Sequence, residues 1–105
     1  MRTLHFTFPA TIRAAERAHV GVVGSGDLEV LFEPATAGAG DTANVRVRTS
    51  VEGFDEVWRS TLQRFFARTP VQGTWELNDA AATPALVTLR LQQAAHAAGH
   101  REEGS

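Results

Sequence analysis

The residues with the most chemical promise lie in one short glycine-rich run, Gly24-Ser25-Gly26-Asp27. A serine hydroxyl between two residues without side chains is unusually accessible to another protein. Two readings fit it. One is a solvated serine at a turn, explained by turn geometry alone. The other is an attachment point for a bulky group placed by a modifying enzyme. Other serine or glycine chemistries fail on spacing. A Walker A loop needs a lysine, and the ten basic residues are all arginine. The dinucleotide-binding pattern needs a third glycine where Glu29 stands. A nucleophile elbow needs glycines at the positions of Val23 and Asp27.

Other candidates are weaker. His96 and His100 are four residues apart, but the run His96-Ala97-Ala98-Gly99-His100 lacks the Glu of a metalloprotease motif, and Gly99 is placed to end a helix. His5 and His19 are isolated. Asp27, Glu29 and Glu33 alternate along a strand and are expected on a solvated face, while Asp55 and Glu56 open a helix, so the acids form no evident dyad. Trp58 and Trp75 fall in apolar patterns that suit a core better than a ligand cage. Cysteine is absent, which excludes disulfides, thiol nucleophiles and thiolate metal sites. Without lysine there is no Schiff base. A small hydrolase using Ser25 would need a base, and none is evident. The catalytic site is therefore expected to be none, and the metal site none.

Composition sets the scale. The chain has 105 residues, 43% hydrophobic and 21% charged, with a formal net charge of −2. That is one ordinary globular domain with a modest core and little room for a deep, lidded cavity. The arginines are scattered rather than striped, so no nucleic-acid surface is expected. No apolar run approaches the roughly 20 residues of a membrane span. Met1 to Phe6 shows no signal-peptide core. No membrane contact and a cytoplasmic location are expected.

The elements that must hold Ser25 can be traced from periodicity. Leu4 to Phe8 alternates as a strand ended by Pro9, and residues 10–18 form a loop or short helical turn. A second strand is expected over 19–23 and a third over 28–33, joined as a hairpin with Ser25 at its tip. Residues 34–42 are expected to link a second antiparallel hairpin, leading into the alternation of Asn44 to Thr49. Phe54, Val57, Trp58, Leu62, Phe65 and Phe66 have helical spacing that stops before Pro70. Val71 to Asn78 alternates as a fifth strand, and Thr83-Pro84 starts a second helix with Thr83 as cap. Trp58, Phe65, Leu86 and Leu89 are expected to fill the layer between helices and sheet. The pattern predicts an α+β domain: an antiparallel sheet of about five strands with two helices on one face. It occupies residues 1–98, with a flexible tail over 99–105.

The run from Val20 through Gly24-Ser25-Gly26-Asp27-Leu28-Glu29-Val30 to Leu31 resembles the acyl carrier (delta) subunit family of malonate decarboxylase. The likeness continues at Thr49-Ser50-Val51-Glu52-Gly53-Phe54, Trp58, Arg64-Phe65-Phe66-Ala67-Arg68, Leu77-Asn78-Asp79, Ala82-Thr83-Pro84 and Leu89-Arg90-Leu91. The resemblance implies a non-catalytic carrier. Ser25 would bear, through a phosphodiester, the group 2'-(5-phosphoribosyl)-3'-dephospho-CoA. Its thiol would carry acetyl and malonyl thioesters while malonate becomes acetate and carbon dioxide. The implied partners are the transferase (alpha) subunit, the decarboxylase (beta and gamma) subunits and the enzyme that attaches the group. The chemistry is coherent with this composition. A chain without cysteine must borrow a thiol, and the oxyanion-stabilising groups must come from a partner. Tethering would hold substrate near each active site at an effective concentration of order millimolar. Arg46 and Arg48 are candidates to meet the anionic arm, with solvated strand charges as the plainer reading. Two further functions remain open: a citrate lyase-type carrier, and an unmodified interaction domain.

Overall fold

The computed structural model describes residues 1–100 and contains five strands and two helices. In chain order they are β1 (Arg2–Pro9), β2 (Ala18–Val20), β3 (Leu28–Pro34), β4 (Thr42–Thr49), α1 (Asp55–Arg68), β5 (Gly73–Asp79) and α2 (Pro84–Ala97). The sheet order is β1-β4-β5-β3-β2. The class is α+β as expected, but the sheet is mixed: β4 and β5 run parallel, and the other pairs are antiparallel. Parallel neighbours need a long crossover, and α1 supplies it. The expected hairpin between β3 and β4 is therefore absent, because β5 lies between those strands.

Alternation decides which face is buried. Phe6, Phe8, Val45, Val47, Trp75, Leu77, Leu28, Val30 and Phe32 point into one core, while Thr3, His5, Thr7, Arg46 and Arg48 line the open face. α1 packs against β1, α2 packs against β2 and β3, and the helices touch each other. Trp75 is completely buried at the centre of this layer. Its ring meets Phe32 at 4.6 Å, Phe66 at 5.3 Å and Phe65 at 5.8 Å, and its indole N–H donates to the Val71 carbonyl at 3.2 Å. Tilted and edge-on aromatic contacts of this kind add to the area buried.

The helices begin by different means. Thr83 caps α2, its hydroxyl accepting from the Leu86 N–H at 3.2 Å, and Pro84 follows as expected. α1 has no side-chain cap. Its first residue, Asp55, instead takes both prongs of Arg2 from β1, at 2.8 Å each.

Several expectations about side-chain placement are corrected. In α2 the buried residues are Val87, Leu91, Ala94 and Ala95, whereas Leu89 is 45% exposed and Leu86 half-buried. α2 carries apolar residues around most of its circumference, so its own period did not select the inward face. The sheet below β2 and β3 selects it. Phe54 and Val57 are likewise exposed at the start of α1. The second strand is shorter than expected, ending at Val20. At the C-terminal end, Gly99 has φ +104° and donates to the His96 carbonyl, so the backbone leaves the helix before His100. Of the tail expected over 99–105, residues 101–105 lie outside the described residues.

Candidate functional site

The seven residues from Gly21 to Asp27 connect β2 to β3 and carry Ser25. The Asp27 N–H donates to the Gly24 carbonyl at 2.8 Å, closing a β-turn around Ser25 and Gly26. Gly26 has φ +75°, so the turn is of type II, which demands glycine at this place. A Cβ on Gly26 would meet nothing within 4 Å. The reason for glycine there is conformational, and the space beside the exposed Ser25 is open.

The turn is braced from the β5–α2 connection. The Gly26 N–H donates to the Ala80 carbonyl at 2.7 Å, and the Ala80 N–H returns a bond to the Asp27 carbonyl at 3.0 Å. The Asp27 side chain braces it again. Its carboxylate accepts from Arg90 Nε at 2.8 Å and Arg90 Nη2 at 3.1 Å, and from the N–H groups of Leu28 at 2.7 Å and Val22 at 3.3 Å. Gly21 lets this happen. With φ +74°, it runs so close beneath β3 that a Cβ would sit 1.9 Å from the Leu28 carbonyl oxygen. The two-pronged Arg90 bond, helped by the Leu28 N–H, holds the Asp27 carboxyl below the usual carboxylate range. Asp27 in turn raises the Arg90 pKa. Both groups are therefore charged at neutral pH.

Glu33 is exposed on the face away from the core, as expected of a solvated acidic face, but Glu29 is half-buried and Asp27 is tied down. Asp27 is a structural pin. Glu29 accepts from Asn78 at 2.9 Å and meets His19 Nε2 at 2.9 Å, and Glu33 pairs with Arg17. Arg46 is also spoken for, since it pairs with Glu76 on the open face of the sheet. Arg48 lies on that same face, beside Asn78. The guanidinium tied to the serine turn is that of Arg90 in α2.

The arrangement has little catalytic capacity of its own. Asp27, the acid nearest Ser25 in sequence, is engaged on both oxygens and is a poor base with its lowered pKa. A cavity of about 400 Å³ is lined by Phe54, Val57, Trp58, Val87, Asp79 and Ala82 among others. Its one carboxylate is already spent on the Thr49 hydroxyl and the Ala82 N–H, each at 2.9 Å. No cluster of His, Cys, Asp or Glu suited to a metal occurs among the described residues. Among the described residues, no helix is long and apolar enough to cross a membrane.

An α+β platform that holds an exposed hydroxyl out on a braced turn defines a presenting domain. The comparisons specify it. The family model of the malonate decarboxylase delta subunit, an acyl carrier protein, matches residues 15–98. The malonate decarboxylase acyl carrier protein of Azotobacter vinelandii is 50% identical over 95 residues, covering 90% of this chain and 93% of its own. That of Pseudomonas fluorescens is 46% identical over 101 residues, covering 95% and 99%. Among solved structures, a chain in the crystal structure of a Pseudomonas malonate decarboxylase hetero-tetramer in complex with malonate superposes with a TM-score of 0.85. It is 42% identical and covers 94% of this chain and all of its own. The chain belongs to the malonate decarboxylase delta subunit family.

Proposed function

We propose that this chain is the acyl carrier subunit of a malonate decarboxylase, with Ser25 as the attachment point of a covalent 2'-(5-phosphoribosyl)-3'-dephospho-CoA arm. The observation that carries the reading is Ser25 itself: an exposed hydroxyl on a type II turn, pinned from two sides, in a chain of this family. The residues fit the group. An alcohol can form the required phosphodiester, and the open space at Gly26 leaves room for it. When bound, the group supplies the thiol that a cysteine-free chain lacks, for acetyl and malonyl thioesters during conversion of malonate to acetate and carbon dioxide.

The chain's own residues anchor and present. The backbone bonds with Ala80 tie the turn to the β5–α2 connection, and the Asp27–Arg90 pair ties it to α2. The chain acts in a multisubunit assembly, as the hetero-tetrameric neighbour supports. The partners in this reading are the transferase (alpha) subunit, the decarboxylase (beta and gamma) subunits and an attachment enzyme, all in the cytoplasm. The names of the relatives favour malonate over citrate as the substrate of the parent complex.

The test is reconstitution. With its partner subunits and attachment enzyme, the wild-type carrier supports turnover of malonate and not of citrate, and a Ser25→Ala carrier supports neither. Malonate turnover by the Ser25→Ala complex at the wild-type rate would defeat the assignment.

A further inference from the structure

We propose that Asp27 and Arg90 are positioning residues for Ser25: their two-pronged ion pair ties the turn to helix α2 and fixes how the hydroxyl is presented to the enzyme that modifies it. This rests on the reading of Ser25 above. The geometry is specific. Asp27 closes the type II turn through its backbone and, through its side chain, gathers the N–H groups of Val22 and Leu28, one on either side of Ser25. Arg90 grips both oxygens of that carboxylate and is itself steadied by Gln93, which accepts from Nη1 at 2.8 Å. The Asp27 and Arg90 side chains are only 17% and 26% exposed, so the pair is better shielded from solvent than an ordinary surface bridge. Val22 and Val23, by contrast, are 61% and 58% exposed. Without the pair, the Ser25 loop would keep its glycines and lose its side-chain tie to the helix.

In the loading step, Ser25 Oγ attacks phosphorus in a donor bearing a diphosphate leaving group. The Oγ–P bond forms, the bond to diphosphate breaks and diphosphate takes the electron pair. The hydroxyl proton passes to a base on the attachment enzyme. Such a displacement needs the hydroxyl in line, and small misplacements are costly. A mobile turn would still dock but would seldom be aligned.

The test uses the full-length carrier, its attachment enzyme and the loading donor. In Asp27→Asn and Arg90→Gln, kcat for loading is expected to fall by about ten- to a hundredfold, with KM within about twofold of wild type. The double variant should be no slower than the worse single one, since both remove the same interaction. Arg90→Lys keeps the charge and loses the fork, so it should not restore the rate. Amide exchange at Gly26 and Asp27 should accelerate by about tenfold while Val30 and Trp75 are unchanged. Wild-type kcat in both single variants, a loss confined to KM, full rescue by Arg90→Lys, or unchanged exchange at the turn would each overturn the proposal. A wild-type carrier that is never loaded would sink the Ser25 reading instead, and the exchange data would still decide whether the pair holds the turn.

Discussion

A serine hydroxyl is a weak nucleophile at neutral pH, so in the proposed function Ser25 takes its base from a partner and its placement from its own backbone. The placement has a pH signature. Asp27 has a lowered pKa in the folded chain because of Arg90, so its pairing contributes stability above the ordinary carboxylate pKa of about 4. That contribution is lost as pH falls through the depressed value. The expected result is a thermal midpoint higher for wild type than for Asp27→Asn at pH 7, with the gap closing in strong acid. A gap unchanged between pH 7 and pH 2 would contradict it. The turn was legible in the sequence because Gly-Ser-Gly is a local signal. Its brace was not: Asp27 and Arg90 are 63 residues apart, and nothing local to either marks the other. Strand alternation puts Arg46 and Arg48 on one face of β4, but alternation identifies a face and not what lies beside a loop.

Among the elements, α2 does the most to define the site, since it buries one side against β2 and β3 and offers Arg90 from another. Its two leucine positions should respond very differently. Leu91→Ala removes a fully buried side chain and is expected to cost about 2–5 kcal/mol. Leu89→Ala alters an exposed one and is expected to change stability by less than about 0.5 kcal/mol. Chemical denaturation of the two variants checks this, and equal losses would mean that the inward face is misplaced. The helix itself, its Thr83 cap and its Gly99 stop were all legible, because each has a local cause. Its inward face was not, with Leu86, Val87, Leu89, Leu91 and Ala94 spread around the axis. The pairing of β4 with β5 had a signal that hairpin expectations overrode. A strand, a helix and a strand in succession allow a parallel crossover, and β4-α1-β5 is one.

For the whole molecule, β5 is the keystone. It enters late in the chain yet lies between the β1–β4 pair and the β3–β2 pair. Trp75 at its middle bridges the sheet to Phe65 and Phe66 of α1. Trp75→Ala is expected to cost about 3–5 kcal/mol, a large share of the roughly 5–15 kcal/mol typical of a domain. A urea titration would show it, and a loss under about 1 kcal/mol would contradict this picture of the core. In the proposed function, this fold holds one small turn steady while partner subunits act on what it bears. The most direct test is the intact mass of the chain, purified from a host making its attachment enzymes, beside a Ser25→Ala control. The account predicts an added mass equal to the phosphoribosyl-dephospho-CoA group on the wild type and none on the control. An unmodified wild type, or the same added mass on both, would contradict it.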